Sequence, residues 1–165
     1  MDAHAQRSAT EAAAATSPAL PVWPPRTVAV LTTLSDDGPH AIPVSAPVRA
    51  ADDILLIALR ADRHSLARLT ANPAVAITVL AATDVAFTAR GKARRVDEQV
   101  AESAAYVAVA IRVEHVDDHR QSAFKVTAGV EREWHDEVEQ RALGKRVVAL
   151  RKLVERHDQW RHGDG

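Results

Sequence analysis

From Thr27 to about Gly129 the apolar residues recur largely in strand-like patterns, which residues 62–71 and the polar stretch 97–104 interrupt. Residues 27–35 (TVAVLTTLS) are apolar and β-branched and run into Asp36-Asp37-Gly38-Pro39, a strand followed by a turn. A second strand is expected over about 40–48. Residues 54–59 of ILLIALR are continuously apolar, so this third strand should be buried on both faces. At 62–71 the spacing of Leu66 and Leu69 shifts to a helical period, with Asp62 placed to cap the start and Asn72-Pro73 to stop it. Further strands are expected at 74–80, 84–96, 106–116 and 122–130, and a short polar helix at 97–104. In 84–96, Val85, Phe87, Ala89 and Ala93 share one face while Thr88, Arg90, Lys92 and Arg94 share the other. Leu143, Val147, Leu150 and Val154 give 134–157 the stripe of an amphipathic helix. Strand-helix-strand repeats are absent, which disfavours doubly wound and TIM-barrel folds. An antiparallel barrel or sandwich of six or seven strands is expected.

The ends read differently. Residues 1–25 are rich in Ala, Ser, Thr and Pro and read as a flexible arm, with Trp23 placed to pin its end. The barrel is expected over 26–131 and the C-terminal helix and tail over 132–165. A chain of 165 residues suits one domain with a substantial core. The absence of cysteine excludes disulfides, thiolate metal sites and cysteine nucleophiles. A net charge of -1 argues against nucleic acid as a partner. An aromatic content of 4% argues against a base-stacking platform. No apolar run reaches a membrane-spanning length, no secretory signal is expected, and the expected location is cytoplasmic.

Three segments carry chemistry. Pro39, Pro43 and Pro47 recur every fourth residue in the second strand, and Pro43 and Pro47 remove donors from one edge, the edge at which the Ser45 N–H also points. Two readings fit: an edge strand protected from aggregation, or an edge left open for a flat ligand. Next, Arg60-Ala61-Asp62-Arg63-His64-Ser65 leads into the helix, where free N–H groups, two guanidiniums, an imidazole and a hydroxyl suit a phosphate. The Asp62 carboxylate opposes that use unless it caps the helix; a solvated helix start is the plain alternative. Third, the Arg90, Lys92 and Arg94 face reads either as a solvated outer surface or as a contact for an anionic tail. His115 and His119 are four apart at a strand end without a third ligand in reach by spacing, so no metal is expected. No GxSxG, Walker or HExxH motif occurs.

The strand, DDGPH turn and proline-bearing second strand, followed by DRHSLARLTANPAVAITV and then ARGKARRV, resemble the FMN-binding split-barrel proteins related to pyridoxamine 5'-phosphate oxidase. The resemblance spans about Thr27 to Gly129. It implies a mainly β, six-stranded antiparallel split barrel forming a homodimer with FMN at the subunit interface, and a small-molecule substrate. By the same resemblance Ile42, Pro43, Val44 and Ser45 would line the isoalloxazine ring with their backbone. Ala58, Leu59 and Arg60 would flank the ring and ribityl chain, and Arg63, His64 and Ser65 would face the phosphate. Thr78 would reach the ligand from the fourth strand, and Arg90, Lys92 or Trp134 from the partner subunit. The family often carries Lys or Arg where His64 and Ser65 stand. The C-terminal Arg- and Trp-containing segment of the vitamin B6 oxidases is replaced here by an amphipathic helix, so vitamin B6 oxidation is not expected. Relatives using an 8-hydroxy-5-deazaflavin coenzyme offer an alternative, as does a non-catalytic flavin or haem carrier. A plain interaction module without cofactor is the remaining one. No catalytic residue is assigned; His40 and Ser45 are the nearest acid–base candidates.

Overall fold

The computed structural model describes residues 18–156, apart from the side chains of 97–99. Residues 1–17 of the expected arm and 157–165 of the tail lie outside the described residues. The elements in order are β1 (Val28–Ser35), β2 (Gly38–Ser45), β3 (Val48–Arg49), β4 (Ile54–Arg60), α1 (His64–Ala71), β5 (Ala74–Ala81), β6 (Val85–Val100), β7 (Ser103–Asp118) and α2 (Glu137–Glu155). The strands form one antiparallel sheet in the order β2-β1-β5-β6-β7-β4-β3. Six substantial strands with the two-residue β3 make the mainly β split barrel that the sequence led us to expect. The split lies between β2 and β4, which approach each other without being ladder partners.

Alternation along the strands builds two cores. Leu31, Ile57, Ile77, Phe87, Val109 and Ile111 face the barrel interior. Leu56, Ala108 and Ala110 face the other way and are roofed by Leu150 and Leu153 of α2. Thus β4 is buried on both faces, as its unbroken apolar run requires. Each leucine so buried stabilises the fold by roughly 1.5–3 kcal/mol. Asp136 caps α2 by accepting a bond from the Val138 N–H. Leu20 is buried in the barrel core, and Trp23 donates from Nε1 to the Pro47 carbonyl while packing on Phe87. Residues 18–25 therefore lie against the body.

Four local expectations need correction. The second strand ends at Ser45, because Ala46 takes a positive φ of 52° and turns the chain before β3. The polar stretch 97–104 is not a helix: β6 runs on to Val100, and Ala101 and Glu102, both at positive φ, form the tight turn into β7. Residues 122–130 form no strand, although Val126 exchanges two bonds with Asp84. Both edges of β6 are already occupied, by β5 and β7, so no ladder is open to them there. Finally, Asp62 does not cap α1, whose N-cap is Arg63 without a side-chain bond.

Candidate functional site

The pocket at the split is built from the edge of β2, the end of β4 and the start of α1. The hydrogen bond from the Ala46 N–H to the Thr27 carbonyl fixes the phase of the β1–β2 ladder. Counting back by twos, Val44, Ile42 and His40 turn their backbone groups toward β1, so Ala41, Pro43 and Ser45 turn theirs to the free edge. Pro43 has no donor to offer there. The edge therefore carries the Ala41 and Ser45 N–H groups on either side of a gap no partner strand can fill.

Across the split, Ala58, Leu59 and Arg60 form the facing wall, and Arg63, His64 and Ser65 close one end. The cavity is about 540 Å³. Ten of the twelve residues singled out from the sequence line it: Ile42, Pro43, Val44, Ser45, Ala58, Leu59, Arg60, Arg63, His64 and Ser65. Thr78 and Lys92 lie elsewhere on the same chain. Thr78 stands on the outer sheet face, 2.9 Å from the Thr88 hydroxyl, and Lys92 is 3.6 Å from Glu114. Arg90 is held by both oxygens of Asp117, so part of the basic face on β6 is neutralised.

Sequence reasoning missed Arg68, Tyr106, Leu143 and Arg146, which also line the pocket. Tyr106 is paired with Arg60 in the β4–β7 ladder, a non-local neighbour that spacing cannot reveal. In the sequence Leu143 belongs to the core stripe of α2, and Arg146, 4.2 Å over the Tyr106 ring, lies on what reads as its solvent side.

The electrostatics favour an anion. Four arginines and two histidines line the pocket and no carboxylate does. The start of α1 has no side-chain cap and no acidic residue in its first turn, so its unpaired N–H end stays open to a negative group. Asp62 is turned aside, gripping Arg60 Nε and Nη2 at 2.9 and 2.7 Å. That contact holds the Asp62 carboxyl below the usual carboxylate range. Among the described residues no three His, Asp or Glu side chains gather as a metal site, and no helix is long and apolar enough to cross a membrane.

Comparison with known proteins agrees with this architecture. The family model described as pyridoxamine 5'-phosphate oxidase matches residues 19–135. Among solved structures, a putative pyridoxamine 5'-phosphate oxidase from Listeria innocua superposes with a TM-score of 0.50 at 17% identity, covering 58% of this chain and 90% of that one. HupZ from group A Streptococcus gives 0.50 at 14% identity, covering 64% and 90%. An F420 reductase gives 0.47 at 18% identity, covering 58% and 92%. No curated protein sequence matches the chain.

Proposed function

The chain belongs to the pyridoxamine 5'-phosphate oxidase family, and on that premise we propose that it is an FMN-dependent oxidoreductase acting on a small molecule. The observation that carries this reading is the pocket itself: an open strand edge facing an apolar wall, ending in an uncapped helix start surrounded by cations. Those residues fit a flat heterocycle bearing a phosphate. Arg63, His64 and Ser65 would hold the phosphate, with Arg60 beside them. The Ala41 and Ser45 N–H groups would donate to the ring's acceptor atoms, and Leu59 and Leu143 would exclude water from its faces. When bound, FMN supplies the electron transfer; the chain's own part is to bind, orient and keep the ring dry. His40 and Ser45 line the same cavity at opposite ends of β2, His40 toward the phosphate end and Ser45 toward the ring, where its hydroxyl is the side-chain group placed to hold a proton.

The working unit in this proposal is a homodimer with the cofactor between subunits. Val30, Leu34 and Leu80, all on one outer sheet face and 42–50% exposed, support it as a surface that a second copy would cover. Sedimentation velocity tests the dimer.

A second reading keeps the site and exchanges the cofactor for the 8-hydroxy-5-deazaflavin coenzyme. What favours it is the cationic lining: Arg63 and Arg68 make no ion pair among the described residues, and Arg60 and Arg146 stand beside them, shared with Asp62 and Glu139. The absorption spectrum of purified protein, before and after adding FMN, decides. Flavin bands that co-purify or shift on titration are expected. An unchanged spectrum with FMN, and binding of the deazaflavin instead, would replace the first reading with the second. A haem band would overturn both.

A further inference from the structure

Arg132, an exposed side chain in the segment between β7 and α2, reaches Ser45, which lines the far end of the pocket. Its Nη1 donates to the Ser45 hydroxyl and its Nη2 to the Arg26 carbonyl at 3.3 Å, while its guanidinium stands 5.1 Å from the Trp134 ring centre. Glu131 and Glu133 flank it in sequence, yet among the described residues no carboxylate pairs with it. Partial burial lowers the proton affinity of Arg132, and the neighbouring cation Arg26 lowers it further. A guanidinium offers five N–H donors in a planar fork, and two donor nitrogens are accounted for here by neutral oxygens. The remaining N–H donors of the fork are available to an anion.

Position separates this feature from the phosphate end. His40 lies at the α1 end of β2, where His64 and Arg68 also line the cavity, and Ser45 lies at the opposite end. Five steps of extended chain put the two about 17 Å apart. One phosphate cannot serve both ends. We propose that Arg132, anchored on Ser45, selects a substrate bearing a carboxylate and docks that carboxylate at the end of the pocket remote from the cofactor phosphate. The proposal rests on the flavin reading for the remainder of the pocket. It deepens that reading by naming the substrate class, a small flat organic acid.

Benzoate is a suitable probe, since it joins a carboxylate to a flat apolar ring. It is titrated calorimetrically into the full chain saturated with FMN, and into FMN-free protein, for wild type, Arg132→Gln and Arg132→Lys. Benzoate is expected to bind wild type. Arg132→Gln should weaken it about tenfold or more, as loss of a charge-assisted bond does, and Arg132→Lys by less. FMN affinity should be unchanged in both variants, and matching melting curves confirm that they fold. Equal benzoate affinity in wild type and Arg132→Gln overturns the proposal, as does failure of benzoate to bind wild type at all. If FMN does not bind but FMN-free protein still distinguishes the variants, the flavin reading falls and the carboxylate site stands.

Discussion

Gly91 lies where β6 and β7 slip register: Arg90 pairs with His115 but Gly91 pairs with Val113, leaving Glu114 as the extra residue of a bulge. A Cβ built on Gly91 would fall 1.9 Å from the Arg112 carbonyl oxygen and 2.9 Å from Val113 Cα. A tolerable carbon–oxygen approach is roughly 3.3 Å, so Gly91→Ala must part the strands by about 1.4 Å. The obstacle is backbone inside a two-sided ladder and cannot swing away. Losing two or so ladder bonds at about 1 kcal/mol each, with loosened packing around them, puts the cost at about 3 kcal/mol. For a domain of this size that lowers Tm by about 10 °C. Gly144→Ala is the matched control, since its Cβ would meet nothing within 4 Å on an exposed part of α2. It should stabilise by about 0.5–1 kcal/mol. Urea unfolding followed by far-ultraviolet circular dichroism measures both. A Gly91→Ala midpoint equal to wild type would refute the close-approach argument.

Other outcomes follow from the site. Arg63 makes no ion pair among the described residues, so Arg63→Ala should weaken FMN binding about tenfold by calorimetry; undiminished affinity would remove it from the phosphate cradle. Asp62→Asn frees Arg60 from its bidentate grip and should tighten FMN binding a few-fold, so weaker binding would count against the idea that Asp62 competes for Arg60. Leu150→Ala should destabilise by about 2–5 kcal/mol, because Leu150 is fully buried in the second core; a change below 1 kcal/mol would mean α2 is not docked there. Asp118, bonded to Arg120, is held at about 2. Because its folded value is depressed, its contribution is present above the ordinary value near 3.9 and is lost as pH falls toward 2. Carboxyl NMR should show that midpoint in wild type and a rise in Arg120→Gln.

The sequence was most legible where one residue pattern admits one solution. The unbroken run Ile54–Leu59 demanded two buried faces, and Asn72-Pro73 marked the helix end. The proline spacing in β2 pointed to an edge that the Ala46–Thr27 bond then phased. It was least legible where the deciding partner is remote. Ala101-Glu102 lacks the Gly or Asn that announces a hairpin, so the long β6–β7 ribbon looked interrupted. Residues 122–130 have strand-like side chains, but whether a strand forms depends on a free ladder edge, which is a property of the assembled sheet. Arg132 gives no local signal, since its hydrogen-bond partner, Ser45, is 87 positions away.

α2 touches two things at once. Leu150 and Leu153 roof the second core, while one to two turns earlier Leu143 and Arg146 line the pocket. A ligand that fills the pocket must therefore favour the docked helix, and a docked helix must favour the ligand, by the same free energy. Occupancy would then be readable far from the chemistry, as slowed amide exchange along the C-terminal half of α2. The helix α2 becomes a reporter of whether the pocket is full.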